Sequence, residues 1–127
     1  MAREEALAAV SPVVPGIFHC ISAYPTPLDA LNLATIPFFR QAFGIPTGFS
    51  DHSTDPVRAP VFATSLGAKL LEKHFTLDRE LEGTDHFFAI EPEELKEMVA
   101  AVRRAENDPE YRDHVLNDPL NAPLIGT

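Results

Sequence analysis

Ile45-Pro46-Thr47-Gly48-Phe49-Ser50-Asp51-His52 and Ala68-Lys69-Leu70-Leu71-Glu72-Lys73-His74-Phe75 decide the fold. Each reads as a buried strand that runs out at a histidine. Strands this apolar want cover on both faces, which is the habit of parallel sheets. Parallel α/β folds place their chemistry at strand ends, where loops are free to vary over a rigid frame. Two imidazoles on neighbouring strand ends can share one divalent metal and leave open positions for substrate and water.

Working outward, Ile17-Phe18-His19-Cys20-Ile21-Ser22 reads as an earlier buried strand. Tyr24-Pro25-Thr26-Pro27 is a loop, since two prolines with fixed φ and no N–H cannot sit in a central strand. From Leu28 to Phe43, Leu33, Ile36, Phe39 and Phe43 recur at helical spacing, with Pro37 as a kink or restart and Gly44 as the closing glycine. Residues 45–51 form the second strand. Residues 56–66 predict a short helix with Asp55 as N-cap, Pro56 at its first position and Gly67 beyond its end. The third strand spans residues 69–77, and a polar turn from Asp78 to Asp85 follows.

The clearest helix opens at Glu91-Pro92-Glu93-Glu94, with Leu95, Met98, Val99 and Val102 on one stripe and Arg103-Arg104 near its end. Residues 3–10 have helix-forming composition ahead of the break at 11–16. The order is helix and strand in alternation, which implies parallel pairing with right-handed crossovers. The expected fold class is α/β: a partial (β/α)8 barrel with about three parallel strands, because a closed one needs roughly 200–250 residues. Residues 1–106 are the βα units. Residues 107–127, polar and proline-bearing, are expected to be a short helical turn and a tail.

The 127 residues include ten basic and nineteen acidic side chains, for a net charge of −9. That balance argues against nucleic acid or an anionic membrane as partner. No apolar run approaches a membrane span, no secretory h-region is seen, and the single Cys20 has no disulfide partner. Cys20 is expected to be a small buried core residue, and the protein to be cytoplasmic.

Alternation along the strands puts Glu72, His74 and Thr76 on one face and Lys73 on the other, while Gly48, Ser50 and His52 share a face. On composition alone, two histidines in a small α/β domain are more often hydrogen-bonded core or surface residues than ligands. His19 reads as a satisfied core histidine, and His86 and His114 as solvated surface. Asp85, taken alone, reads as a turn residue.

The ordered blocks carry more. His19-Cys20-x-Ser22-x-Tyr24-Pro25-Thr26-Pro27, Gly48-Phe49-Ser50-Asp51-His52, Leu66-Gly67-Ala68, Glu72-Lys73-His74-Phe75-Thr76-Leu77-Asp78, Gly83-Thr84-Asp85-His86 and Glu91-Pro92-Glu93-Glu94-Leu95 follow one another. The series, from about Ile17 to Arg104, closely resembles the second half of the catalytic barrel of the sialic acid synthases. That group takes in the N-acetylneuraminate, legionaminate and pseudaminate synthases and related spore-coat polysaccharide proteins.

The resemblance implies a condensation of phosphoenolpyruvate with the open-chain aldehyde of an N-acylated amino sugar, releasing phosphate. A divalent metal, Mn²⁺ or Mg²⁺, polarises the aldehyde. Carried over residue by residue, His52 and His74 are the metal ligands. Ser50 contacts the phosphoenolpyruvate phosphate, Tyr24 contacts substrate, Asp85 binds the amino sugar near the metal, and Tyr24 and Asp85 are the catalytic candidates. Ser22 stands where some members bind substrate through an asparagine.

The family's lysines for phosphoenolpyruvate and its proposed base lie on earlier strands, and its sugar-binding arginine comes from a partner subunit's antifreeze-like domain. None of these is in this sequence. The chain alone is therefore expected to lack synthase activity, and to associate with itself or with a complementary N-terminal barrel half. The competing expectation is a non-catalytic, oligomerising metal-binding α/β module.

Overall fold

A computed structural model describes residues 4–5 and 16–126. Of the helix expected over residues 3–10, only Glu4 and Glu5 are described, and both are helical. Three parallel strands lie side by side in chain order: β1 (Ile17–Cys20), β2 (Thr47–Asp51) and β3 (Leu70–Lys73). Phe18, Gly48 and Leu70 form one row across the sheet, and Cys20, Ser50 and Glu72 the next row on the same face.

Every strand is shorter than its apolar run. β2 begins at Thr47 because Pro46 has no N–H for the ladder, although its carbonyl accepts from the Ile17 N–H at 3.0 Å. β3 stops at Lys73, but the chain rejoins the sheet once. Phe75 and Ile90 form a parallel bridge, with Ile90 N–H donating to His74 O and Thr76 N–H to Ile90 O, both at 2.9 Å. Ile90 is thus a rudimentary fourth strand that periodicity does not reveal.

The segment between β1 and β2 is not one helix. A 3-10 turn (Leu28–Ala30) precedes α1 (Thr35–Phe43), and Asn32 between them takes a left-handed φ of 50°. Pro37 falls in the first turn of α1, where a missing N–H costs no intrahelical bond. Gly44 ends α1 in the left-handed conformation at φ 67°, as expected. Asp55 does cap, accepting from Val57 N–H (2.8 Å) and Arg58 N–H (2.6 Å), but α2 runs Arg58–Ser65 rather than from Pro56. α3 (Pro92–Asn107) opens with a Glu91/Glu94 capping box and proline in its first turn.

The stretch after Asn107 is a correction. It is not a turn and a polar tail but α4 (Pro109–Asn117), a 3-10 turn (Pro119–Asn121) and α5 (Ala122–Ile125). Asp108 accepts from Glu110 and Tyr111 N–H, and Asp118 from Leu120 N–H. Each Asp-Pro pair is therefore an N-cap followed by a first helical residue, not a break. α5 folds back on the start of α1, with Leu33 N–H donating to Leu124 O (2.9 Å) and Ala34 N–H to Ile125 O (3.1 Å). Val115 and Leu124 join Leu33, Ile36, Phe49 and Phe62 in one core.

That core fills only the helix side of the sheet. On the other side Phe18 and Leu70 are 43% and 44% exposed. Gly48 keeps the row tight, since a Cβ there would stand 2.7 Å from the Phe18 ring and 2.9 Å from Leu70. Cys20 lies on this open face and is exposed, contrary to the expectation of a buried thiol. Alternation from buried His19 to the next residue turns it there.

Candidate functional site

β2 ends at Asp51 and β3 at Lys73, and the next residue of each strand is a histidine. Asp51 and Lys73 are register partners and form an ion pair at 2.7 Å, with side chains 1% and 4% exposed. They lie on the helix side with Phe49, so Lys73 does turn away from the histidines, as alternation predicts. His52 and His74 meet with ring centroids 5.5 Å apart.

The His52 ring is held in one tautomer. Its Nδ1 is 2.8 Å from the Ile21 carbonyl oxygen, which can only accept. Nδ1 therefore carries the proton, and Nε2 keeps the lone pair that a metal takes. Thr26 N–H donates to the His52 carbonyl at 2.9 Å, tying in the loop that carries Tyr24. The Tyr24 ring lies 4.1 Å from His52 and 6.2 Å from His74, centroid to centroid. Phe88 closes the other side, 4.9 Å from His74 and 5.8 Å from Tyr24. The sequence reading misses Phe88, although the apolar run Phe87-Phe88-Ala89-Ile90 was the available signal.

One row below the histidines, Ser50 Oγ donates to Glu72 Oε1 at 2.6 Å. Cys20 Sγ stands 3.8 Å from His52 Nδ1. Ser22 and Asp85 are exposed on the loops beyond β1 and β3. Among the described residues, no hydrogen bond or ring contact joins either of them to the imidazoles. The structure thus brings together Tyr24, His52 and His74, sets Ser50 beneath them, and leaves Ser22 and Asp85 apart. No set of three or more His, Cys, Asp or Glu side chains among the described residues gathers to hold a metal. The imidazole pair offers two nitrogens and would leave the remaining positions of a divalent cation to water and substrate oxygens.

The other histidines divide. His19 is the satisfied core residue expected, with Nε2 2.7 Å from Leu31 O. His114 is exposed on α4. His86 is not simply solvated: its Nδ1 is 2.7 Å from Thr76 Oγ1, which fastens the 78–90 loop to the end of the sheet. Arg79 in that loop is committed to Glu94 and, at 3.2 Å, to Glu91. The hydrogen bond from the Glu91 backbone N–H, then Arg79, hold the Glu94 carboxyl below its ordinary range. Glu94 in turn raises the Arg79 guanidinium.

The NeuB family model matches residues 8–111, most of the chain. The chain belongs to the NeuB family. Spore coat polysaccharide biosynthesis protein SpsE of Bacillus subtilis is 46% identical over 112 residues, 87% of this chain and 29% of that protein. Its crystal structure superposes with a TM-score of 0.79 at 45% identity, covering 88% of this chain and 31% of the other. A pseudaminic acid synthase of Campylobacter jejuni is 46% identical over 88 residues, 69% of this chain and 25% of the synthase. The structure of an N-acetylneuraminic acid (sialic acid) synthetase from Leptospira borgpetersenii superposes with a TM-score of 0.66 at 35% identity, covering 83% of this chain and 34% of that one.

This NeuB-family chain therefore spans less than a third of the length of these two curated relatives. Its three parallel strands and their helices are part of the (β/α)8 barrel of sialic-acid-synthase-type proteins. The open side of the sheet, which carries Phe18, Cys20, Leu70 and Glu72, is the side that faces the interior of such a barrel. No helix among the described residues is long and apolar enough to cross a membrane.

Proposed function

We propose that this chain carries the metal-binding corner of a nonulosonic acid synthase site. The reaction is the condensation of phosphoenolpyruvate with the open-chain aldehyde of an N-acylated amino sugar. The observation that carries this reading is the meeting of Tyr24, His52 and His74 at adjacent strand ends, within a chain 46% identical to SpsE. When bound, Mn²⁺ or Mg²⁺ supplies Lewis-acid polarisation of the aldehyde oxygen. His52 and His74 hold it; the Ile21 carbonyl keeps His52 in the tautomer that frees Nε2. Tyr24 lies over the imidazoles, where it contacts substrate. Ser50 reaches the phosphate of phosphoenolpyruvate, Asp85 binds the amino sugar near the metal, and Ser22 contributes to substrate binding.

The cations that a phosphate leaving group requires are engaged elsewhere at this corner. Lys73 is paired with Asp51, and Arg79 with Glu91 and Glu94. Stabilisation of developing charge is usually the largest single contribution to such catalysis, so the chain alone is inactive in this reading. It functions with strands that cover the open face, supplied by a complementary barrel segment. The exposed Phe18 and Leu70 favour that association.

The test mixes the purified chain with the N-terminal barrel segment of SpsE, Mn²⁺, phosphoenolpyruvate and an N-acylated amino sugar, and follows phosphate release. Release that needs both chains and is lost in His52→Ala supports the reading. Equal release by the chain alone contradicts its inactivity in isolation. Unchanged release in His52→Ala contradicts the metal corner.

A further inference from the structure

Each proposed metal ligand directly follows one member of the buried Asp51–Lys73 ion pair. Asp51 and Lys73 close the last row of the β2–β3 ladder, and His52 and His74 lie just beyond it. The spacing of the imidazoles is therefore inherited from the row below them. That row is tied three ways. Lys73 Nζ donates to Asp51 Oδ2 (2.7 Å) and to the Ser53 carbonyl (2.9 Å), and Ser53 N–H donates to Asp51 Oδ1 (2.8 Å). The lysine thus binds the chain on both sides of His52 while its own backbone leads into His74.

A buried ion pair is a weak source of stability, because desolvation offsets most of its attraction, and neutral replacements of both partners are often tolerated. Nearer the ladder's other end, β2 and β3 are joined by apolar neighbours such as Phe49 and Leu71. We infer that Asp51 and Lys73 are positioning residues: their ion pair sets the distance and relative orientation of His52 and His74 and so tunes the affinity of the metal pair. The inference rests on the metal reading above and deepens it. Neither residue touches metal or substrate; the pair acts from the helix side of the sheet through the backbone.

The test compares Mn²⁺ binding, by water-proton relaxation titration, in the wild-type chain, Lys73→Arg, and the double variant Asp51→Asn/Lys73→Met. The side-chain carbonyl introduced by Asp51→Asn still accepts from Ser53 N–H, so the turn after β2 is retained. The expected result is a folded chain in all three, with the midpoint of the double variant lowered modestly because the Ser53 carbonyl loses its Lys73 donor. Mn²⁺ affinity is kept in Lys73→Arg and weakened about 10- to 100-fold in the double variant, the range seen when groups that orient metal ligands are removed. A folded double variant that binds Mn²⁺ like wild type overturns the positioning role and leaves the metal reading standing. A double variant that does not fold also overturns it, since the pair would then serve stability. No Mn²⁺ binding by the wild-type chain removes the metal reading and this inference together.

Discussion

The two faces of the sheet contrast in almost every physical respect. The helix side is closed. Phe49 is fully buried against Leu33, Ile36 and Phe62, His19 is hydrogen-bonded to Leu31 O, and the Asp51–Lys73 pair is buried and matched. The other side carries Phe18, Cys20, Leu70 and Glu72 in the open, and above them Tyr24, His52 and His74. Stability is concentrated on one face and the candidate chemistry on the other. The ladder between them transmits geometry from the first to the second.

The sharpest way to break that contrast is to truncate an aromatic on each face. Phe49→Ala is expected to cost about 3–5 kcal/mol, the usual range for emptying a packed aromatic site. Phe18→Ser, on the open face, is expected to cost only about 1 kcal/mol, since its ring is half-covered, while reducing self-association. Denaturant titration and sedimentation on the two variants read both effects. Comparable destabilisation by the two would mean that the open face is already covered in solution.

A smaller effect sharpens the boundary of the closed side. Asp108 ends α3 and caps α4, accepting from Glu110 and Tyr111 N–H. Asp108→Ala is expected to cost about 1 kcal/mol, read by denaturant titration, with Mn²⁺ affinity unmoved. A change in Mn²⁺ affinity would tie the last helices to the histidine corner.

The smallest effect is a pH dependence. Glu94 titrates below its ordinary value in the folded chain, first through the Glu91 N–H and then through Arg79. A carboxyl lowered on folding stabilises fully above its unfolded value and loses that contribution as pH falls through the folded one. Both groups are partly exposed, so the contribution is screened. Glu94→Gln keeps the capping-box acceptor and loses the charge. Its thermal midpoint should fall less steeply than that of wild type below about pH 4.5, the ordinary carboxylate value. Parallel profiles would remove Glu94 from the acid response.

Much of this was legible in the chain itself. Alternation sorted Lys73 from the histidines, and the parallel order of the strands followed from the intervening helices. An apolar run predicts cover on both faces, yet Cys20 is exposed, because burial depends on which strands lie across the barrel. The last helices escape a pattern reading because Asp108-Pro109 and Asp118-Pro119 read as breaks, whereas aspartate there caps and proline fits the first helical position. The Phe88 wall and the Ile90 bridge rest on one residue of long-range pairing, which no local period encodes. At the site, residue identity pointed to His52 and His74, but only the fold supplied the Ile21 carbonyl that selects the His52 tautomer.

The central claim is that His52 and His74 form one metal site. Mn²⁺ titration of the wild-type chain beside His52→Ala and His74→Ala tests it most directly. Weak binding by the wild-type chain and its loss in each variant are expected. Equal binding by all three folded proteins would contradict the claim.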